Sequence, residues 1–300
     1  MVFTKNQIFS IIRRKRRRIR EGGEKNTVDI DAKRVTFTYE EGLSPALCDV
    51  SFSADRGEMV AVLGANGSGK STLARTLNAL LPLQEGELQI LDMDVRDEST
   101  HHELHRVCGM VFPDPDNQFV SSVAEEDVAF GLYYYDVPQT RIEIAVRDAL
   151  AAVDLTACAR RAPYSLSGGE KQRLALAGVM ALGPRIVIFD EAASMLDREG
   201  RKEIMAYLEK LHRNGVTVLW ITHRSDEAVS ADRVLILSQG KVIADGTPRQ
   251  VLTDRKVLDR ACVTPPFAVQ VYEELRERGV VLDHCPVTEQ ELTEELCQLL

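Results

Sequence analysis

At 300 residues, 44% hydrophobic and 28% charged, the chain has the profile of a globular protein able to bury a substantial core, which excludes collagenous, low-complexity and disulfide-scaffold classes. Its longest unbroken apolar stretch, Leu174 to Gly183, is about ten residues against the roughly 18 that a membrane span needs, so no bilayer crossing is expected. The formal charge of −9 is polarised, because residues 1–26 carry nine Lys/Arg against Glu21 and Glu24 and leave the other 274 residues at about −16.

The basic charge is concentrated in Arg13 to Arg20, RRKRRRIR, followed by a polar segment to Asn26 with nothing to bury, so residues 1–26 read as a basic, disordered extension. A solvated tail is its plain explanation. An anionic membrane face is the sharper one, each basic residue near it contributing about 1 kcal/mol. Nucleic acid is not expected as a partner, since the remaining chain is acidic and would repel phosphates. Ile8 to Ile12 is too short for a secretory apolar region and precedes the basic cluster instead of following it. Six cysteines without C-x-x-C spacing, and no close His pair, fit a reducing compartment and no zinc site.

From Val28 onward, β-rich runs alternate with helical patterns. Met59 to Leu63, Ile186 to Phe189, Val216 to Ile221 and Val234 to Leu237 are near-continuous apolar runs, the type buried on both faces of a parallel sheet. Leu73 to Leu80, Arg201 to Leu211 and Ser225 to Val229 read as helices, which together predict an α/β core. Beyond Gly246-Thr247-Pro248 the texture changes. Phe267, Val271 and Leu275 recur at helical spacing up to Gly279, and Thr288 with Glu291 predicts a capping box for a helix carrying Leu292, Leu296 and Leu299.

Between the first apolar run and a helix stands Gly64-Ala65-Asn66-Gly67-Ser68-Gly69-Lys70-Ser71-Thr72, the G-x-x-x-x-G-K-[ST] phosphate loop in the strand-to-helix context it requires. Its glycines let backbone N–H groups curl around a β-phosphate, the helix N-terminus adds partial positive charge, Lys70 neutralises β/γ oxygens and Ser71 supplies a ligand to Mg²⁺. Alone, the motif does not separate kinases, G proteins, motors and transport ATPases. The run at 186–189 ends in Asp190-Glu191. Beside a phosphate loop, Asp190 reads as the Mg²⁺-organising acid and Glu191 as the group that polarises an attacking water. Leu166-Ser167-Gly168-Gly169-Glu170, before Lys171-Gln172-Arg173, reads from its chemistry as a second anion site at a helix start, with Ser167 a good N-cap.

Taken together, the phosphate loop, LSGGE at 166–170, the acids at 190–191, Ser194-Met-Leu-Asp197 and Ile221-Thr222-His223 resemble an ATP-binding cassette (ABC) ATPase over about 220 residues. Phe112 to Val120, Glu125 to Gly131, Glu191 to Asp197 with Gly200-Arg201, and the tail from Phe267 to Leu300 further resemble the ATPase of energy-coupling factor importers, on the side of the subunit that carries SMLD. The resemblance implies a P-loop NTPase fold of the ABC type over 27–247, with a mixed-sheet core, a helical subdomain at about 114–175 and an antiparallel β subdomain, then a helical dimerisation domain over 248–300.

By that resemblance, two cassettes close head to tail. ATP held at Lys70 and Ser71 of one meets Leu166 to Glu170 of the other, with Ser167 and Gly169 on the γ-phosphate and a helix from Glu170 aiming its dipole there. Tyr39 matches the aromatic that stacks on adenine, although strand packing would also explain it. His223, 32 residues after Glu191, matches the residue bridging γ-phosphate, water and the catalytic Glu191, and Asp197 the loop linking the two sites. Asp116, Asn117 and Gln118 resemble the segment that contacts the transmembrane coupling protein. The implied cofactors are ATP and Mg²⁺. The implied partners are a second ABC ATPase subunit, the coupling protein and a substrate-binding membrane protein, at the cytoplasmic face of the cell membrane.

Three positions depart from the family pattern. Where the family has a glutamine that touches Mg²⁺ and relays nucleotide state, this chain has Pro113, with neither amide nor backbone N–H. Gln118, five residues on, is not expected to substitute. Arg224 replaces the usual acid after His223, and Ala193 the usual threonine. The expectation is a slowed or asymmetric site in a heterodimer that imports a vitamin or metal ion. Two other readings compete: a soluble ABC switch acting on nucleic acid or ribosomes, and the ATPase of a conventional importer.

Overall fold

A computed structural model describes residues 28–40 and 42–298. The basic run at 13–20 and Leu299 lie outside them. In chain order the elements are β1 (Val28–Phe37), β2 (Leu47–Asp55), β3 (Met59–Leu63), α1 (Lys70–Leu77), β4 (Glu85–Ile90), β5 (Met93–Asp94), α2 (His101–Val107) and β6 (Cys108–Val111). There follow α3 (Ala124–Tyr134), α4 (Gln139–Ala152), α5 (Gly168–Ala181), β7 (Ile186–Asp190), α6 (Arg198–Arg213), β8 (Thr217–Ile221), α7 (Ser225–Ala228), β9 (Arg233–Ser238) and β10 (Lys241–Gly246). The chain then turns helical through α8 (Pro248–Leu252), α9 (Arg255–Ala261), α10 (Phe267–Glu277) and α11 (Glu289–Cys297).

The strands form two sheets. An antiparallel sheet runs β2-β1-β4-β5, and a mixed sheet runs β10-β9-β3-β8-β7-β6, parallel from β9 to β6 with β10 antiparallel at the edge. The apolar runs are continuous because strand alternation feeds two cores. Met59, Ala61, Val187, Phe189, Val218 and Trp220 face the core packed by helices α3 to α6. Val60, Val62, Ile186, Ile188, Leu219 and Ile221 face the other, against α1 and the antiparallel sheet. Buried Asp29 at the start of β1 ties that sheet down, accepting from Arg185 Nη2 at 2.9 Å and Thr217 Oγ1 at 2.6 Å.

Helices α3, α4 and α5 pack on one another and bury Val128, Leu132, Ile142, Val146, Leu150 and Leu174. The side chains of α8 and α9, among them Leu252 and Leu258, belong to the same core. A separate small core starts only at Ala268, which packs with Leu282 and Leu292 and with the flanks of Val271, Leu275 and Leu296. The predicted capping box of α11 forms by half. Thr288 Oγ accepts from Glu291 N at 3.1 Å, but the Glu291 carboxylate accepts from Val287 N at 2.8 Å and from Arg249 Nη2 at 2.8 Å, which draws it off the N-cap amide. Among the described residues, no helix is long and apolar enough to cross a membrane.

Candidate functional site

Parallel register brings the chemistry to one edge. Val62 pairs with Ile221, Ile221 with Asp190, and Phe189 with Val111, so β3, β8, β7 and β6 end at one level. Their following loops carry the phosphate loop, His223, Glu191 and Pro113 side by side. This is the carboxyl edge of an open parallel sheet, where such folds bind ligands.

The phosphate loop closes tightly against its surroundings. Gly69, the N-cap of α1, has φ +106, and a Cβ there would meet Ala46 O at 2.4 Å; at Gly64 it would meet Leu237 O at 2.2 Å. Both positions need glycine, which lets the backbone wrap a ligand. Lys70 is buried and donates from Nζ to Gly64 O at 2.9 Å and Ala65 O at 3.0 Å, with Glu191 Oε1 3.2 Å away. Ser71 Oγ donates to Asp190 Oδ1 at 2.9 Å.

Asp190 is fully buried, and its Oδ2 has no hydrogen-bond partner. Burial pushes its carboxyl up, opposed by the Ser71 hydrogen bond and reinforced by Glu191. An unpaired carboxylate oxygen beside a hydroxyl is a costly arrangement that a hard cation satisfies, and an oxygen donor pair suits Mg²⁺. Ser68 Oγ at the loop is likewise buried without a partner. Next to Asp190, Glu191 sits at φ +47, a left-handed backbone that costs a non-glycine residue about 1–3 kcal/mol and recurs at functional sites. Its N–H donates to Ile221 O at 3.0 Å, which fixes the turn to β8. Glu191 and His223 line one small cavity of about 10 Å³, about the space of one water.

The other expected residues divide into those drawn to this edge and those turned away. Tyr39 is 54% exposed, its ring edge-on to Phe37 at 5.0 Å and its hydroxyl 3.1 Å from Thr72 Oγ1, which sets it over the start of α1. Gln84 holds the approach by exchanging hydrogen bonds with Thr38 N and O. Leu166 is buried, whereas Ser167 and Gly168 are exposed and Gly169 is half-buried. Among the described residues, no hydrogen bond or ion pair ties these three to the phosphate loop. α5 begins at Gly168, two residues before the expected start, because Ser167 and Glu170 complete a reciprocal capping box. Asp197 caps α6 through Gly200 N at 2.8 Å and is exposed.

Gln118 turns inward. Its amide meets Phe112 N, Phe112 O and Asp114 O at 3.3–3.4 Å, and buried Gln172 donates to Phe112 O at 3.1 Å, so the loop through Pro113 is braced by its own chain. Asp116 pairs with Lys171 at 2.6 Å, and Asn117 donates to Asp114 at 2.7 Å. Sequence reasoning quoted Thr222 without giving it a role and missed Glu227. Thr222 Oγ1 donates to Glu227 Oε2 at 2.7 Å, and burial pushes the Glu227 carboxyl up against that bond and the nearby Arg224 and Arg201. Its only sequence signal is an acid at the start of a short helix after His223.

Residues 47–194 match the ABC transporter family, and residues 266–300 match the energy-coupling factor transporter EcfA1 C-terminal domain. The energy-coupling factor transporter ATP-binding protein EcfA1 of Symbiobacterium thermophilum is 44% identical over 90% of this chain and 97% of its own length. The protein of the same name from Enterococcus faecalis is 44% identical over 89% and 96%. The chain belongs to the energy-coupling factor transporter ATP-binding proteins. It is therefore an ATP-binding, ATP-hydrolysing subunit of a transporter, and among these relatives neither the nucleic-acid switch nor the conventional importer finds support. Of solved structures, cbiO1 from Clostridium perfringens, described as part of the ABC transporter complex cbiONQ, superposes with a TM-score of 0.72 at 30% identity, over 85% of this chain and 98% of that one. The ATP-binding cassette MJ0796, in a dimeric post-hydrolysis state bound to ADP and Pi, gives 0.67 at 30% identity over 73% and 99%.

Proposed function

We propose that this energy-coupling factor ATPase hydrolyses ATP at a composite site completed by a second cassette, and that closure of the pair drives a membrane coupling protein. The observation that carries the reading is the buried, unpartnered Oδ2 of Asp190 beside Ser71, at the mouth of the loop that holds Lys70. Backbone amides from Gly64 to Thr72 and the buried Lys70 ammonium would cradle the β- and γ-phosphates. Ser71 and Asp190 would hold Mg²⁺, which supplies charge neutralisation on the phosphate oxygens when bound. Glu191 would take the proton of the attacking water, its strained turn and the cavity shared with His223 keeping both groups at the strand edge. Tyr39 offers an exposed ring face for adenine. Ser167 to Gly169, at the start of α5 with Ser167 and Gly168 exposed, would meet the nucleotide of the partner cassette, as the head-to-tail family arrangement implies.

The division into an ATPase body and a C-terminal dimerisation unit, the pairing with a different cassette, the coupling protein at the turn carrying Asp116, Asn117 and Gln118, and a place at the cytoplasmic membrane face belong to the same reading. So does the cargo, a vitamin or metal ion bound by a separate membrane protein. The test is Glu191→Gln in the assembled complex. ATP binding is expected to persist while hydrolysis falls by at least about 100-fold, the contribution of a general base. Undiminished turnover at this chain's site would remove Glu191 from the chemistry. Asp190→Asn is expected to raise the Mg²⁺ concentration needed for half-maximal rate.

A further inference from the structure

Two turns at the catalytic edge are joined from below by one charged link. The turn Ser194 to Asp197 leads into α6, where the Arg201 guanidinium donates through Nη1 to Leu196 O. The same guanidinium lies with Nε 3.9 Å from Glu227 Oε1, on α7. Glu227 stands directly beneath the loop of His223. Its Oε2 accepts from Thr222 Oγ1 at 2.7 Å, Thr222 Oγ1 accepts from Arg224 N at 3.1 Å, and Arg224 Nε is 3.4 Å from Glu227 Oε1. Both residues flanking His223 are thus tied to one buried carboxylate, whose Oε1 accepts no hydrogen bond and is held by the two guanidinium charges. A buried acid is tolerated only when so paired. Glu227, Arg224, His223, Glu191 and Ser194 also line the same small cavity.

We propose that Arg201 and Glu227 are positioning residues that fix the His223 loop relative to the turn at 194–197, so that displacement of that turn by the partner cassette moves His223 of the same chain. The inference rests on the roles given to His223 and Asp197 above. Arg201 joins the two elements by a hydrogen bond to Leu196 O and by its charge on the buried Glu227 carboxylate, so a shift of one is felt by the other. Among the described residues, no hydrogen bond or ion pair ties Arg201 or Glu227 to the phosphate loop, so the link would act on the rate of the bound complex and leave ATP affinity in place.

The experiment uses the complete transporter complex and compares Arg201→Met, Glu227→Gln, their double variant and His223→Ala by steady-state ATPase, with thermal melting as the check on folding. Each single variant is expected to lower kcat about tenfold with KM for ATP changed by less than about twofold, and the double variant to be no slower than the worse single one, because both cut the same link. Arg201→Gln removes the charge that holds Glu227 while staying polar, and it carries the same expectation if the methionine variant does not fold. Full kcat in either single variant, or losses that multiply in the double one, would overturn the link. Full kcat in His223→Ala would instead overturn the reading of His223 on which the link depends.

Discussion

Pro113 follows β6 at the catalytic edge, one strand from Asp190, and it brings no side-chain amide to a place where the resemblance implies one. Gln118 does not replace it, since its amide is spent on the backbone of Phe112 and Asp114. Restoring the amide with Pro113→Gln is expected to raise ATP turnover of the assembled complex by roughly fivefold, the equivalent of one net hydrogen bond of about 1 kcal/mol. No gain would count against a slowed site. At this scale the grouping of Lys70, Ser71, Asp190 and Glu191 was legible, because a phosphate loop and an acid pair after a buried strand demand residue types at fixed spacings. The inward turn of Gln118 and the burial of Glu227 were not, since an exposed and a buried polar side chain look alike in a sequence.

Among the elements, α5 shows how local chemistry sets a functional terminus. Its Ser167–Glu170 box satisfies two amides of the first turn and places an acid near the positive end of the helix. Hydrogen bonds from the Ser167 backbone, then its hydroxyl, hold the Glu170 carboxyl below the usual glutamate range. A carboxyl depressed on folding stabilises the folded state fully above its unfolded pKa of about 4.3 and loses that contribution as pH falls through the folded value. Glu170→Ala is therefore expected to cost about 1 kcal/mol at pH 7, roughly 2–4 °C in Tm, with the gap to the wild type narrowing below about pH 4.3. A pH-independent gap in thermal melts would argue that the loss is packing and not charge. The two helix starts contrast usefully. At α5 the pattern S-x-x-E forms the full box, whereas at α11 the same logic fails because Arg249, 42 residues earlier, competes for Glu291.

For the whole molecule, the open question is how two cassettes hold together. The C-terminal unit has a core of only a few side chains and leaves Phe267 and Val281 exposed, the latter by 76%. If this unit contacts the second cassette, Phe267→Glu with Val281→Glu is expected to abolish capture of the partner ATPase from membranes while melting and ATP binding by this chain persist. Undisturbed assembly would sink the interface reading. The charge asymmetry of the chain belongs to this scale too, with acids on the body and its basic run among residues outside the described ones. By itself the sequence determined β3, β7, β8 and β9 of the mixed sheet but neither edge strand, together with the phosphate loop, the paired acids and the family, because periodicity and motif spacing are local properties of a chain. Only the tertiary structure decided that β3, β8, β7 and β6 end at one level, that Asp190 Oδ2 is left without a partner, and that Arg201 reaches both Leu196 and Glu227. Those facts depend on register, burial and competition between side chains far apart in sequence, which arise only once the chain has packed.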